Sequence, residues 1–429
     1  MAVQDTDAPT PACQDVERLA AWLRLANSPG VSRHAAFELL QFYQSPQAVF
    51  SAANLLLAGP PARNDAEPPA RAHATDDTEA AFGPAPAQSR ARPWNWLPRF
   101  EPDGAGERLS RQAARLLAGP MPERFLRLAE ATLEWASRPG NHVLRLGDAA
   151  YPPSLRHIAD PPLLLHAKGD PGLLQREAVA VVGARKATTQ GTANARAFAE
   201  TLSRAGLLVV SGLALGIDAA AHEGGLAGHG GTVAVIGTGI DRIYPRRNAG
   251  LARRIAEEGC LLSEFALGTH ARAEHFPIRN RIIAGMARAT LVVEAAAKSG
   301  SLITAYAALE AGREVFVLPG SVHAPQSVGC HDLIRSGGRL VASPGHLLED
   351  LGVGPGGVPG MAGGVGDGAL DELARGLLQA LGYDPVGADE LATRLQLDPS
   401  DMQASLLTLE LAGVVERLPG GTFQRVRAP

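Results

Sequence analysis

Four stretches of this chain place small residues and cations where a strand passes into a helix, an arrangement that holds phosphate. "AVAVVGARK" runs into Gly183, Arg185 and Lys186, and "VVSGLALGIDAAAH" carries Ser211 and Gly212 ahead of Asp218. "HFPIRNRIIAG" groups Arg279, Asn280 and Arg281 beside Phe276, and "VVEAAAKSGSLITA" ends in Lys298, Ser299, Gly300 and Ser301. The first N–H groups of a helix have no partner within it and its dipole favours negative charge. One cation and one hydroxyl beside such a helix start therefore suffice for a single phosphate. Several single-phosphate sockets along one edge suit a repeating phosphate chain better than one mononucleotide.

The complete nucleotide signatures are missing. A dinucleotide loop needs G-x-G-x-x-G, but Gly183 stands alone and "VIGTGIDR" puts Arg242 in place of the third glycine. Lys298-Ser299 resembles the end of a P-loop, but Ala295, Ala296 and Ala297 precede it where glycines must wrap the phosphates. ATP, NAD and FAD are not expected, and no cofactor is assigned. No G-x-S-x-G elbow, H-E-x-x-H helix or Cys/His cluster occurs, so neither a catalytic residue nor a metal ligand is assigned. Asp218, Glu264 and Glu294 fall at element ends, where capping and pairing with arginine account for them.

These loops need a scaffold that brings them to one edge. From Asn141 to about Leu351 the apolar runs "AVAVV", "LLVVSG", "TVAVIG", "CLLSE", "ATLVVEA" and "EVFVLPG" alternate with Ala-rich helical segments. Continuous rather than alternating apolar character marks strands buried on both faces, and repeated βα units predict a doubly wound, mainly parallel sheet. Ligands of such sheets lie beyond the carboxyl ends of the strands, where the glycine-rich loops fall.

Around this core, 141–351, other segments differ in composition. Residues 12–58 read as an all-helical module of the helix-hairpin-helix or SAM-like kind, its arginines offset by acidic residues, which favours packing or protein contact. Residues 59–120, rich in Pro, Ala and charge, read as a disordered insertion, and 121–140 as a connecting helix. Residues 352–367 form a Gly-rich linker. Residues 368–427 give three helices and a hairpin, the pattern of a winged helix. Its third helix, "PSDMQASLLTLELAG", carries no Arg or Lys, which favours protein contact over DNA reading.

The chain has 429 residues and a net charge of −4. Asn141 to His346 hold 21 Arg or Lys against 16 Asp or Glu, a net +5, whereas Asp367 to Pro429 hold 5 against 10, a net −5. An anionic partner is therefore expected at the middle. The only lysines are Lys168, Lys186 and Lys298, and Lys186 and Lys298 fall in the phosphate loops. Cys13, Cys260 and Cys330 form no CxxC pair, and neither a secretory signal nor a membrane-length apolar run occurs. A reduced cytoplasm fits.

"YPPSLRHIADPPLLLHAKGD", "VAVVGAR", "VVSGLALGIDAAAH", "GGTVAVIGTGIDRIYPRRN", "HFPIRNRIIAG", "LVVEAAAKSGSLITAYAALEAGREVFVLPG" and "GCHDLIRSGG" together resemble the DNA-processing protein A (DprA/Smf) family, densely from Tyr151 to about Val341. The resemblance implies an extended Rossmann-like core that binds single-stranded DNA without sequence preference, forms a homodimer and loads RecA recombinase in natural transformation, with no turnover. It assigns phosphate contacts to Gly183, Arg185, Lys186, Ser211, Gly212, Arg279, Asn280, Arg281, Lys298, Ser299, Gly300 and Ser301. The dimer face would hold Cys330, His331, Leu333 and Ile334. Two departures from the family pattern are Leu215, where relatives carry Lys, and Ala184, where relatives carry a hydroxyl.

Two other readings stay open at this level. A nucleoside-monophosphate-processing enzyme would share the glycine loops, but "PGSVHAPQSVG" lacks the glutamate that such enzymes carry in P-G-G-x-G-T-x-x-E. A sequence-specific repressor would read duplex DNA through the winged helix.

Overall fold

The computed structural model describes residues 11–58, 111–353, 372–382, 385–411, 414–418 and 421–425. Helix α1 (Pro11–Asn27) is followed by α2 (Arg33–Tyr43), α3 (Pro46–Ala58), α4 (Arg111–Leu117) and α5 (Glu123–Ala136). The core then runs β1 (Asn141–Arg145), β2 (Leu164–Gly169), β3 (Ala178–Val182), α6 (Thr189–Arg204), β4 (Leu208–Ser211), α7 (Ile217–Leu226) and β5 (Thr232–Val235). It continues through α8 (Ala249–Glu258), β6 (Cys260–Ser263), α9 (His275–Met286), β7 (Ala289–Val292), α10 (Ser301–Glu310) and β8 (Glu314–Val317). Helix α11 (Val328–Arg335), β9 (Arg339–Leu340) and α12 (Pro344–Asp350) complete it.

The nine strands form one sheet in the order β1-β2-β6-β5-β4-β3-β7-β8-β9. The β1–β2 and β2–β6 pairings are antiparallel, and the remaining pairings are parallel. The expected mainly parallel, doubly wound sheet is thus what forms, with an antiparallel extension at one edge. Strand β3 is the pivot: Val179 lies opposite Val209 of β4 on one side and Ala289 of β7 on the other. The chain winds outward through β4, β5 and β6, then returns to β7 across β3. Crossovers leave in opposite directions there, which opens a crevice above the carboxyl ends of β3 and β7.

All five residues of β3 are buried. One layer of the core packs Val179, Val181, Phe198, Leu202, Ile217, Leu291 and Phe316 between the sheet and its helices. The other packs Leu213, Ala234, Ile236, Ile255 and Leu261 around Trp135 of α5. Each fully buried Val, Leu or Ile contributes about 1.5–3 kcal/mol, so the sheet edge that carries the loops is rigidly backed.

The helical segments divide differently from the 12–58 module expected from sequence. Leu19, Ala20 and Leu23 of α1 pack with Phe125 and Ala129 of α5 and Leu164 of β2, so α1 belongs to the body of the core. Ser28–Pro120 forms a separate compact unit. Within it, α4 lies in the stretch read as a disordered insertion. Ala114 and Leu117 are fully buried, and the Gly119 N–H donates to Asn54 Oδ1 at 2.8 Å, tying the end of α4 to α3. The apolar period of "RQAARLL" is too short to stand out from the charged residues before it. The rest of the insertion, 59–110, and most of the Gly-rich linker lie outside the described residues.

At the C-terminal end, α13 (Glu372–Leu381), β10 (Val386–Gly387), α14 (Ala388–Leu395), α15 (Pro399–Leu411), β11 (Val415–Arg417) and β12 (Thr422–Arg425) make the expected winged helix. Its three-stranded sheet, β10-β12-β11, packs Phe423 of β12 on Leu377, Leu391 and Leu406 of the helices.

Candidate functional site

The loop after β3 is shaped by close packing. A Cβ on Gly183 would lie 2.7 Å from Ile217 Cγ1 and 2.9 Å from the Glu294 carbonyl oxygen, so the chain turns there only without a side chain. Gly216, on the facing β4–α7 loop, adopts φ 77° with its missing Cβ against the Ala184 carbonyl, a place open to glycine alone. The turn sends Arg185 and Lys186 into solvent. Arg185 lies over the Phe276 ring with 5.3 Å between guanidinium carbon and centroid.

Backbone N–H groups beneath this turn are already taken by carboxylates of the chain itself. Thr188 caps α6, and the Glu294 carboxylate accepts the Thr188 N–H at 3.1 Å and its hydroxyl at 2.5 Å. Gly191 gives that carboxylate its room, since a Cβ there would meet it. Burial raises the Glu294 pKa, with the two Thr188 bonds pulling the other way. In a dinucleotide site the pyrophosphate sits at such a helix start. Here Glu294 fills it.

The β4–α7 loop is treated similarly. Asp218 Oδ2 accepts the Gly212 N–H at 3.1 Å and the Ala214 N–H at 3.3 Å. Burial raises the Asp218 pKa against the pull of Arg279. Arg279 is itself buried, donating to the Gly212 carbonyl at 2.7 Å, to the Val235 carbonyl and to Asn280 Oδ1 at 3.1 Å. Burial brings its pKa down to about 10. Leu213 takes φ 58° and donates its N–H to His222 Nε2 at 3.2 Å. Nδ1 of His222 must then carry the proton, which it donates to Thr232 Oγ1 at 2.8 Å, and Thr232 donates onward to the Val209 carbonyl. Burial lowers the His222 pKa to about 3, so the imidazole stays neutral and holds the loop from behind.

The start of α10 is more open. Gly300 and Lys298 are exposed, and the Ser299 and Ser301 hydroxyls lie 2.7 Å apart. Asn280 Nδ2 donates to the Gly300 carbonyl at 3.3 Å and so braces this turn from α9. Arg281 is 13% exposed and pairs with Asp160 at 3.1 Å and Glu264 at 2.5 Å.

The twelve residues singled out as phosphate contacts therefore fall into two groups. Arg185, Lys186, Lys298 and Gly300 face solvent, with Gly183 and Ser299 half-buried beside them. Ser211, Gly212, Arg279, Asn280 and Ser301 are buried, and with Arg281 they form the framework under the rim. Ser211 donates to the Val181 carbonyl at 2.7 Å, stitching β4 to β3. Of the residues assigned to a dimer face, Cys330 and Leu333 are buried inside the chain, while His331 and Ile334 are half-buried.

Sequence reasoning passed over Arg246 and Arg247. They lie on the β5–α8 loop with Arg242 and Tyr244, all exposed. Asn248 ties this loop to its neighbour by donating to the Leu213 and Ala214 carbonyls at 2.9 and 3.0 Å. The signal was present as adjacent arginines in "IYPRRN". Arg185, Lys186, Arg246, Arg247 and Lys298 have no ion-pair partner among the described residues. Neighbouring strands are about 4.8 Å apart, so β5, β4, β3 and β7 spread these cations over roughly 14 Å of rim. Such a basic ridge can hold an extended anion. No group of His, Cys, Asp or Glu fit for a metal occurs among the described residues, nor does a helix long and apolar enough to cross a membrane.

Residues 142–352 match the family model for DNA recombination-mediator protein A, and residues 367–421 match that for the DprA winged helix domain. Protein Smf of Escherichia coli (strain K12) is 40% identical over 325 residues, covering 74% of this chain and 85% of that protein. The DNA processing protein DprA of Streptococcus pneumoniae (strain ATCC BAA-255 / R6) is 44% identical over 231 residues, covering 53% of this chain and 80% of that protein. A solved structure of DNA processing protein A from Helicobacter pylori, described for its single-stranded DNA binding mode, is similar over 49% of this chain and 95% of that one. The identity there is 28% and the TM-score 0.46. By the length and identity of the Escherichia coli and Streptococcus pneumoniae matches, this chain belongs to the DprA/Smf family of DNA-processing proteins.

Proposed function

We propose that this chain binds single-stranded DNA through its phosphates, without sequence preference and without turnover, and delivers the strand to RecA recombinase during transformation. The observation that carries the reading is the line of exposed, unpaired cations on neighbouring loops: Arg246, Arg247, Arg185, Lys186 and Lys298. A mononucleotide or dinucleotide would need the start of α6 that Glu294 fills and the β4–α7 loop N–H groups that Asp218 takes. A strand laid across the rim needs only the cations above them. Both carboxylates are engaged by backbone N–H groups, which suits a framework role better than acid–base chemistry. Family membership, with its recombination-mediator model, supports the handover to RecA. Two copies would pair at the end of the sheet near α11, where Val322, Val328 and Leu340 are exposed.

Mobility shift of the full chain tests this directly. Oligo-dT should be retarded at concentrations that leave duplex of equal length free, and incubation with AMP should release no base. Equal affinity for duplex, or released adenine, would overturn the reading.

A further inference from the structure

Phosphate contacts hold a strand but leave its bases unplaced, and the rim has one feature suited to a base. Tyr244 is 48% exposed, the most open aromatic ring of the core, and it stands among the unpaired cations Arg246 and Arg247. Its ring meets Phe276 at a centroid distance of 5.7 Å and an interplanar angle of 42°, a tilted contact rather than a stack. The half-buried Phe276 is covered by Arg185 and sits close to Gly237.

The backbone around Tyr244 is pinned on both sides. Ile243 packs into the core layer around Ile236 and Ile255, Thr238 Oγ1 donates to the Arg242 carbonyl at 2.5 Å, and Asn248 clamps the end of the loop. An exposed ring on a fixed loop loses little freedom when a flat partner lies on it. Resting on the single-strand reading above, we propose that Tyr244 is a stacking platform for one base, seated where the strand passes the Arg246–Arg247 end of the rim. Every base has a π-face, so the contact adds affinity without a sequence code. The Tyr244 hydroxyl has no part in it.

The test compares oligo-dT with an abasic oligonucleotide of the same length and charge, on the full chain. Wild type should prefer oligo-dT by about 5- to 150-fold, the range that stacking of one base gives. Tyr244→Ala should bring that ratio close to one while leaving the salt dependence of binding unchanged, because phosphates are still met by the same cations. Tyr244→Phe and Tyr244→Trp should keep the ratio, which separates stacking from misfolding and from a hydroxyl bond. If Tyr244→Ala keeps the wild-type ratio, or loses affinity for both oligonucleotides equally, the platform is refuted while the single-strand reading stands. If neither oligonucleotide binds wild type, both fall.

Discussion

Replacing His166 by phenylalanine should make the protein more resistant to acid while leaving it unchanged at mildly basic pH. His166 lies on β2 at 1% exposure, edge-on to Trp135 with centroids 5.8 Å apart. Neither ring nitrogen reaches a partner at good hydrogen-bond geometry among the described residues, and a weak pull from the Ser263 backbone opposes the burial, so phenylalanine of similar shape gives up little. Burial pushes the imidazole pKa down to about 4, whereas an unfolded chain holds histidine near about 6.5. The folded form therefore keeps His166 neutral. Its stability is complete above about pH 6.5 and drains away as pH falls toward about 4, because the unfolded chain takes up a proton that the folded one refuses. At about pH 5 the difference from the unfolded value is about 1.5 units, and at about 1.4 kcal/mol per unit the loss is about 2 kcal/mol. Urea midpoints of wild type and His166→Phe at about pH 8 and about pH 5 measure it, since His222 titrates in both proteins and cancels. Equal losses for the two proteins on acidification would refute the burial argument.

Other substitutions separate the framework from the rim. Arg279→Leu removes the charge that acts on buried Asp218 and strips the Gly212 and Val235 carbonyls of their donor, and should destabilise the core by about 3–5 kcal/mol, while Arg185→Ala should shift stability by no more than about 0.5 kcal/mol and weaken binding of oligo-dT instead. Thermal melting of both, beside one binding titration of the second, distinguishes the two arginines. Gly191→Ala drives a methyl group into the Glu294 carboxylate and should cost about 1–3 kcal/mol of stability. A neutral result in urea unfolding would mean that Glu294 does not fill the start of α6.

The parallel strands were legible because burial on both faces leaves an unbroken apolar run. The two sheet edges were not: antiparallel β2 carries His166 and Lys168, and at the opposite edge parallel β9 has only two residues, so neither shows such a run. Cations at strand ends could be read directly, since βα geometry sends those loops to one rim. Which arginines stay free could not. "FPIRNR" puts Arg279 and Arg281 two positions apart on a helix, about 200° around its axis, and they turn to different inner surroundings: Arg279 to the Gly212 and Val235 carbonyls near Asp218, Arg281 to two carboxylates. Those surroundings, Gly212 and Val235 for one and Asp160 and Glu264 for the other, come from distant parts of the chain. Arg246 and Arg247 were passed over because the incomplete Gly237-x-Gly239 loop ahead of them was weighed only as a dinucleotide signature, though the fold carries them to the same edge.

The salt dependence of oligo-dT binding probes the rim most directly. Each single-strand phosphate neutralised contributes a slope of about −0.7 in log affinity against log salt, so about three contacts give roughly −2. The double variant Arg185→Ala with Lys298→Ala removes two of the five ridge cations and should flatten that slope measurably while melting at the wild-type temperature. A variant that folds normally and keeps the wild-type slope would contradict the assignment of the strand to this ridge.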